Sequence, residues 1–258
     1  MREIHLSKNE LLYSALRLGA KEFIGVTDSP FGANKKQFIF ESLLAQSSLI
    51  EKGYAEFDTD DNFVLANGFK DTIDICANCE TCITIEERNK GKSPDRKLYY
   101  VKDSLIIELQ QHDDNITLIP IDTHYTLTKY ILGRIKWEVP VPQCTSTISL
   151  HSEILWKAKD CFDASTDKAN GVQVLIEGGC PNTMVNAISK GISGDAASLA
   201  VVAISFDNDK SSLRSGIFVY TKSEIIQLCS ESSTADEIIR FKMISSAEAR
   251  KEIEEVIS

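Results

Sequence analysis

Cys76, Cys79 and Cys82 form a C-x2-C-x2-C run. Thiolates at that spacing can ligate an iron–sulfur cluster or zinc. The bacterial ferredoxin run continues with a Cys-Pro three residues on, whereas Ile83-Thr84-Ile85-Glu86 follows here. A fourth ligand would have to come from afar, for instance Cys144 or Cys180. The run straddles an expected helix end and strand start, where small thiols pack well in a core. Structural thiols without metal are the expectation, and a small metalloprotein using Cys76, Cys79 and Cys82 is the alternative. Gly178-Gly179-Cys180-Pro181 puts a thiol at a helix N-terminus, a place that lowers a thiol pKa. No His is near it in sequence, so a base would have to be a spatial neighbour such as His124 or His151. Gly191-Ile192-Ser193-Gly194 lacks both G-x-S-x-G and the Gly-Lys-Ser/Thr ending of a phosphate loop. Four His are scattered without H-E-x-x-H spacing. Asp58 to Asp61 lacks the Gly and Glu of a calcium loop and reads as a solvated turn. The sequence therefore nominates no catalytic, cofactor-binding or metal residues, and a non-enzyme is expected.

Composition narrows the classes further. The chain has 258 residues, 43% apolar and 26% charged, enough for one large domain or two small ones. Its net charge of −10 opposes a general affinity for phosphate backbones, so no nucleic-acid partner is expected. No apolar run reaches the roughly 20 residues of a membrane span, and MREIHLSKNE has no signal-like apolar stretch. A cytoplasmic protein without membrane insertion is expected. Seven Cys in such a chain read as free thiols rather than disulfides.

The elements that would carry these residues can be drawn along the chain. Ser7-Lys8-Asn9-Glu10 is a capping box ahead of LLYSALRL, and Gly19 is its stop. Phe23, Ile24 and Val26 predict a short strand. Asp28 to Gly32 is a turn cluster. A helix from Lys35 to Lys52 is predicted with Phe38, Leu43, Ser47 and Ile50 near its inner stripe and Gly53 as its end. Tyr54 to Phe57 and Asn62 to Leu65 form a small hairpin with an acidic tip, and a helix spans Gly68 to Ala77. This outline resembles a winged helix. Its Lys35, Lys36 and Lys52 are too few, and its wing tip too acidic, for a DNA-reading face. A winged-helix-like regulator therefore stays an alternative.

The best-defined stretch runs from Arg96 to Ile135. Apolar residues alternate at Leu105, Ile107 and Leu109, Asp113-Asp114-Asn115 turns the chain, and alternation resumes at Ile116, Leu118 and Pro120. Asp122 or Thr123 then caps a helix with Leu127, Tyr130, Ile131 and Ile135 on one face. Cys82 to Arg88 reads as a strand before it. WEVPVPQCTSTISL, from Trp137, is the best internal boundary, so the expected halves are 1–136 and 137–258. In the second half, a helix runs from Ser152 to Ala164 and Val172 to Ile176 is a short apolar run. Gly178 to Asn182 turns into a helix through Ile188. Leu199 to Phe206 is a strand covered on both faces, and Ser215 to Thr221 is its partner. Ser223 to Cys229 reads as helix, Phe241 to Ser245 as the last strand. Ser245-Ser246-Ala247-Glu248 caps a final helix with stripe Ala249, Ile253, Val256 and Ile257. Each half has a hairpin and ends in a strand running into a capped helix. The fold class expected is α+β: two similar halves with approximate two-fold symmetry, sharing a mostly antiparallel sheet flanked by helices.

The order of helix, turn, helix ending Leu49-Ile50-Glu51-Lys52-Gly53, acidic-tipped hairpin, helix and strands resembles the EspG family. So does the second half, with paired strands around Leu199 to Thr221 and a last helix. EspG proteins are cytosolic accessory proteins of type VII secretion. The Lys/Ile/Asn/Ser-rich composition would suit a low-GC Gram-positive relative. The resemblance implies a quasi-two-fold α+β fold and a non-catalytic chaperone or adaptor. Its implied partner is a helical secreted protein or protein pair with an aggregation-prone tip. The Arg-rich C-terminal tail of many actinobacterial members is missing here, and no binding residue is carried over.

Overall fold

The computed structural model describes residues 2–20, 23–26, 34–134, 146–164, 168–207, 210–221, 224–232 and 237–258. Among them, helices flank one large antiparallel sheet and a separate two-stranded hairpin, an α+β architecture. The chain divides into two compact units. The first draws on Met1–Thr84, Lys97–Leu127 and Ile204–Leu213, and the second on Ile85–Arg96, Thr128–Ala203 and Arg214–Ser258.

In the first unit, β1 (Ile4–Ser7) buries Ile4 and Leu6 and runs straight into α1 (Lys8–Arg17). The change of element happens at Ser7, whose hydroxyl takes the Glu10 N–H while the Glu10 carboxylate takes the Ser7 N–H: the expected capping box. α2 (Lys35–Glu51) follows, with β2 (Ala55–Phe57) and β3 (Phe63–Leu65) as the predicted hairpin and α3 (Asn67–Ala77) after it. Gly19 and Gly53, at φ +82 and +70, end α1 and α2 in the left-handed region that glycine enters most easily. β4 (Thr81–Arg88), β5 (Asp95–Lys102), β6 (Leu105–His112) and β7 (Asn115–Ile121) make a meander that enters α4 (His124–Arg134), and of these Ile85–Arg96 and the residues from Thr128 count with the second unit. Leu109 faces Leu118 and His112 faces Asn115, the register that the Asp113-Asp114 turn dictates. Thr123 Oγ1 accepts from the Thr126 N–H at the start of α4. Leu127 and Ile131 are buried as expected, Tyr130 is 39% exposed, and Ile135 lies outside the described residues. The core of this unit joins Leu11, Leu49, Ile73, Tyr100, Ile107 and Leu118.

Two expectations fail here. Phe23, Ile24 and Val26 are not a strand. Gly25 sits at φ +85 over Leu98, where a Cβ would come within 2.7 Å of its Cδ atoms, and the Tyr100 hydroxyl donates to the Ile24 carbonyl at 2.6 Å. A left-handed residue held by those contacts cannot continue an extended run. The inner stripe of α2 is also displaced. Ala45 and Leu49 are buried and Phe38 and Ile50 half-buried, while Leu43 is 58% exposed and Ser47 is exposed. The Asp28 to Gly32 turn and the WEVPVPQC segment lie outside the described residues.

In the second unit, β8 (Thr147–His151) leads into α5 (Ser152–Asp163), α6 (Lys168–Glu177) and α7 (Asn182–Ile192). The apolar run 172–176 is part of α6. Gly171 lets α6 meet α5, since a Cβ there would come within 2.7 Å of the Phe162 ring. β9 (Ala197–Asp207), β10 (Lys210–Tyr220), β11 (Ile225–Ser232) and β12 (Glu237–Ile244) form the second meander, of which Ile204–Leu213 counts with the first unit, and α8 (Ser246–Ile257) follows. β9 buries Leu199, Val201 and Ala203 on one face and half-buries the other. The expected capping box at Ser245 and Glu248 is present, and Ala249, Ile253, Val256 and Ile257 are all buried.

The segment expected as helix between Ser223 and Cys229 is strand β11, with Ser223 itself outside the described residues. It pairs with β10 and, over eight residues, with β12, from Ile225 opposite Ile244 to Ser232 opposite Glu237. Both faces are covered, so it shows none of the alternation that marks a half-exposed strand. Gln227 reaches Glu252 of α8 at 3.1 Å on one face, while Ile226 and Leu228 join the core under α7 on the other. The last strand is also longer than expected, starting at Glu237. The complete sheet order is β1-β7-β6-β5-β4-β9-β10-β11-β12-β8.

Candidate functional site

The three clustered thiols sit in the first unit. Cys76 closes α3 and is buried, Cys79 is half-buried in the turn, and Cys82 is buried in β4. Burial, together with its neighbours Cys79 and Cys82, pushes the Cys76 thiol well up, and burial pushes Cys79 up to about 11. Without a metal, these thiols therefore keep their protons at neutral pH. Among the described residues no group of three or more His, Cys, Asp or Glu is placed to hold a metal. Cys144 lies outside them. Cys180 is buried ahead of α7 and donates to the Pro181 carbonyl at 3.8 Å. Burial raises its pKa to about 11, the opposite of an activated nucleophile. His151 is exposed at the end of β8, and His124 opens α4. The acidic turn is closed on itself: Asp58 accepts from the Asp60 and Asn62 N–H groups at 2.9 Å. Lys52, one of the three basic residues of the winged outline, is held by Glu10 at 2.7 Å. Gly191 and Ser193 end α7, with Gly194 at φ +71 just beyond.

What the structure brings together instead is apolar. In the second unit, Leu155 of α5, Ile188 and Ile192 of α7, Val219 of β10, and Ile226 and Leu228 of β11 line a groove of about 200 Å3. Gly191 belongs to its wall: a Cβ there would stand 2.9 Å from Val219 Cγ1, so glycine brings α7 down onto β10. Phe241 of β12 completes the lining. Five elements contribute, from positions 155 to 241, and sequence reading could not assemble them. The one local signal was a glycine inside an apolar helix. A groove of this character accepts apolar side chains and has no group for covalent or acid–base chemistry. The first unit has an apolar surface of its own: Ile39, Phe40, Leu43 and Leu44 stand outward on α2, each 47–60% exposed.

These elements, in this order around this sheet, make an EspG-like α+β fold. Solved structures similar to the chain include the Mycobacterium tuberculosis type VII secretion system chaperone EspG5, in complex with a PE25–PPE41 dimer. The TM-score is 0.64 at 10% sequence identity, and the match covers 99% of this chain and 95% of that one. At that identity the likeness is one of fold. No protein-family model and no curated protein matches the sequence. No helix among the described residues is long and apolar enough to cross a membrane.

Proposed function

We propose that this protein is a non-enzymatic adaptor of a type VII-like secretion system in a Gram-positive bacterium. It acts in the cytoplasm, where it holds a helical secreted protein, or a pair of them, before export. The observation that carries the reading is the fold match over nearly the full length of both chains. The α5–α7 groove supports it from this chain's own residues. An amphipathic helix places apolar anchors at i, i+3/i+4 and i+7, and a groove lined by Leu155, Ile192 and Leu228 takes such an anchor without a polar partner.

Co-expression with a small helical secreted protein encoded beside this gene tests the reading. The expected result is a complex stable through size exclusion and a substrate that stays soluble only with its adaptor. Ile192→Asp, at a half-buried groove position, should weaken the complex about tenfold or more while leaving the adaptor folded, because an unpaired carboxylate would face the anchor. If no such protein co-purifies and its solubility is unchanged by co-expression, the adaptor reading fails.

A further inference from the structure

α2 carries apolar side chains on more than one side, and four of its large ones face outward. At 100° per residue, Lys36, Ile39, Phe40, Leu43, Leu44, Ser47 and Glu51 fall on one side, and every one of them is exposed. The opposite side, with Ala45 and Leu49, packs on the body of the first unit, where Tyr13 of α1 takes a hydrogen bond from Gln46. Phe40, Leu43, Leu44 and Ile39 together expose roughly 400 Å2 of apolar surface, the size that on monomers marks an interaction site.

The ends of this stripe carry opposite charge. Lys36 stands one turn before the apolar patch and Glu51 two turns after it, both exposed, and among the described residues no ion pair engages either of them. Place two copies of α2 antiparallel about a two-fold axis at the Leu43–Leu44 step. Residue i then meets residue 87 − i. Leu43 meets Leu44, Phe40 meets Ser47, and Lys36 meets Glu51, twice over. An isologous contact requires a patch that complements itself under such an axis, and this stripe does so in both shape and charge. Small Ser47 opposite large Phe40 lets the helices approach. A helical partner of unrelated sequence would have no reason to find a cation and an anion at those two distances from the centre.

We infer that the exposed face of α2 is a homodimer interface, built by antiparallel α2–α2 packing with reciprocal Lys36–Glu51 pairs. The apolar area is about half of the ~800 Å2 per partner that a standard interface buries, so the dimer is weak and concentration-dependent. It forms without any secreted substrate, so its test is independent of the adaptor reading.

Analytical ultracentrifugation of the full chain over a dilution series tests this. Wild type should pass from monomer to dimer with a dissociation constant in the micromolar range. Leu43→Glu should abolish the dimer, because it puts a charge at the axis in both copies. Lys36→Glu should weaken it about tenfold through two like-charge contacts. The exchange Lys36→Glu with Glu51→Lys should restore it to within about threefold, a rescue that a partly unfolded protein could not give. Circular dichroism should be unchanged throughout, since all these positions are exposed. A wild-type monomer at every concentration to about 100 µM would overturn the inference. So would a dimer indifferent to Leu43→Glu, or a double exchange no tighter than Lys36→Glu alone.

Discussion

Replacing Glu10 by Gln removes the charge of a buried carboxylate in the first unit while keeping its shape. Glu10 is 2% exposed and accepts from three donors. The Ser7 N–H and the Lys52 ammonium reach Oε2 at 2.5 and 2.7 Å, and the Ser48 hydroxyl reaches Oε1 at 2.5 Å. The residue thus caps α1 and ties it to the last turns of α2. A glutamine can keep its carbonyl oxygen toward Ser7 and Lys52 and turn its amide to Ser48, whose hydroxyl rotates to accept. What is lost is charge assistance, about 1 kcal/mol for each of the two better-buried bonds. The Lys52 end is 38% exposed, so water replaces much of that contact and it adds little. A total near 2 kcal/mol corresponds to about 4–8 °C in melting temperature. The acid limb gives the same answer independently. Burial raises the Glu10 pKa, but the bonds from Lys52, Ser48 and Ser7 and the Lys52 charge outweigh it, leaving the carboxyl below its ordinary 4.5. The stabilisation is therefore complete above the unfolded value near 4.5 and is lost as pH falls through the lower folded value. Thermal melts of wild type and Glu10→Gln should differ by several degrees at pH 7 and converge in acid. A gap under about 1 °C at pH 7, or one that persists undiminished below the folded pKa, would refute the account.

Thiol labelling should separate the cysteines by burial. Exposed Cys229 should react with an aromatic disulfide at once, Cys79 slowly at neutral pH because its thiol sits near 11, and Cys76, Cys82 and Cys180 only on unfolding. Protein purified without oxygen should carry no zinc or iron, and near-stoichiometric metal lost in Cys79→Ser would reverse that. A fragment ending at Gln143 should fail to fold cooperatively, since the first unit also needs Ile204–Leu213, whose Phe206 N–H donates to the Glu80 carbonyl at 2.8 Å; a two-state melt of that fragment counts against it.

The sequence was most legible where one residue decides local structure. Ser7 with Glu10 and Ser245 with Glu248 announced their helices because a capping box needs only four neighbouring residues. The β6–β7 hairpin was legible because its turn is polar and its strands alternate. It failed where burial is set by remote neighbours. β11 reads as helix because Ile225, Ile226, Leu228 and Cys229 satisfy a helical period equally well, and only the pairing with β10 and β12 decides between them. On α2 the apolar residues are spread around the helix, so periodicity could not say which stripe is inside. The groove was not legible at all, since its walls come from five elements whose adjacency is a property of the sheet order.

Recognising β11 as a strand also alters how the two halves compare. As read from sequence, the second half had an extra helix before its final strand. With β11 in place, the first half runs β1, α1, α2, α3, β4, β5, β6, β7, α4, with β2–β3 as an added hairpin, and the second runs β8, α5, α6, α7, β9, β10, β11, β12, α8. The sheet order agrees: β1-β7-β6-β5-β4 and, reversed, β8-β12-β11-β10-β9 are the same sequence of positions. The proposed two-fold relation between halves 1–136 and 137–258 rests on this order, since shared residues do not reveal it. A meander with three preceding helices can be rebuilt from unrelated side chains as long as each strand keeps its neighbours and each helix keeps one apolar face. That freedom explains how the halves can differ in what they expose. Three helices fill the first core and leave α2 turned outward with its apolar stripe, whereas α5 and α7 leave an open apolar groove over β10 and β11. The proposed self-pairing and the proposed substrate holding thus call on different surfaces, the α2 stripe for one and the α5–α7 groove for the other.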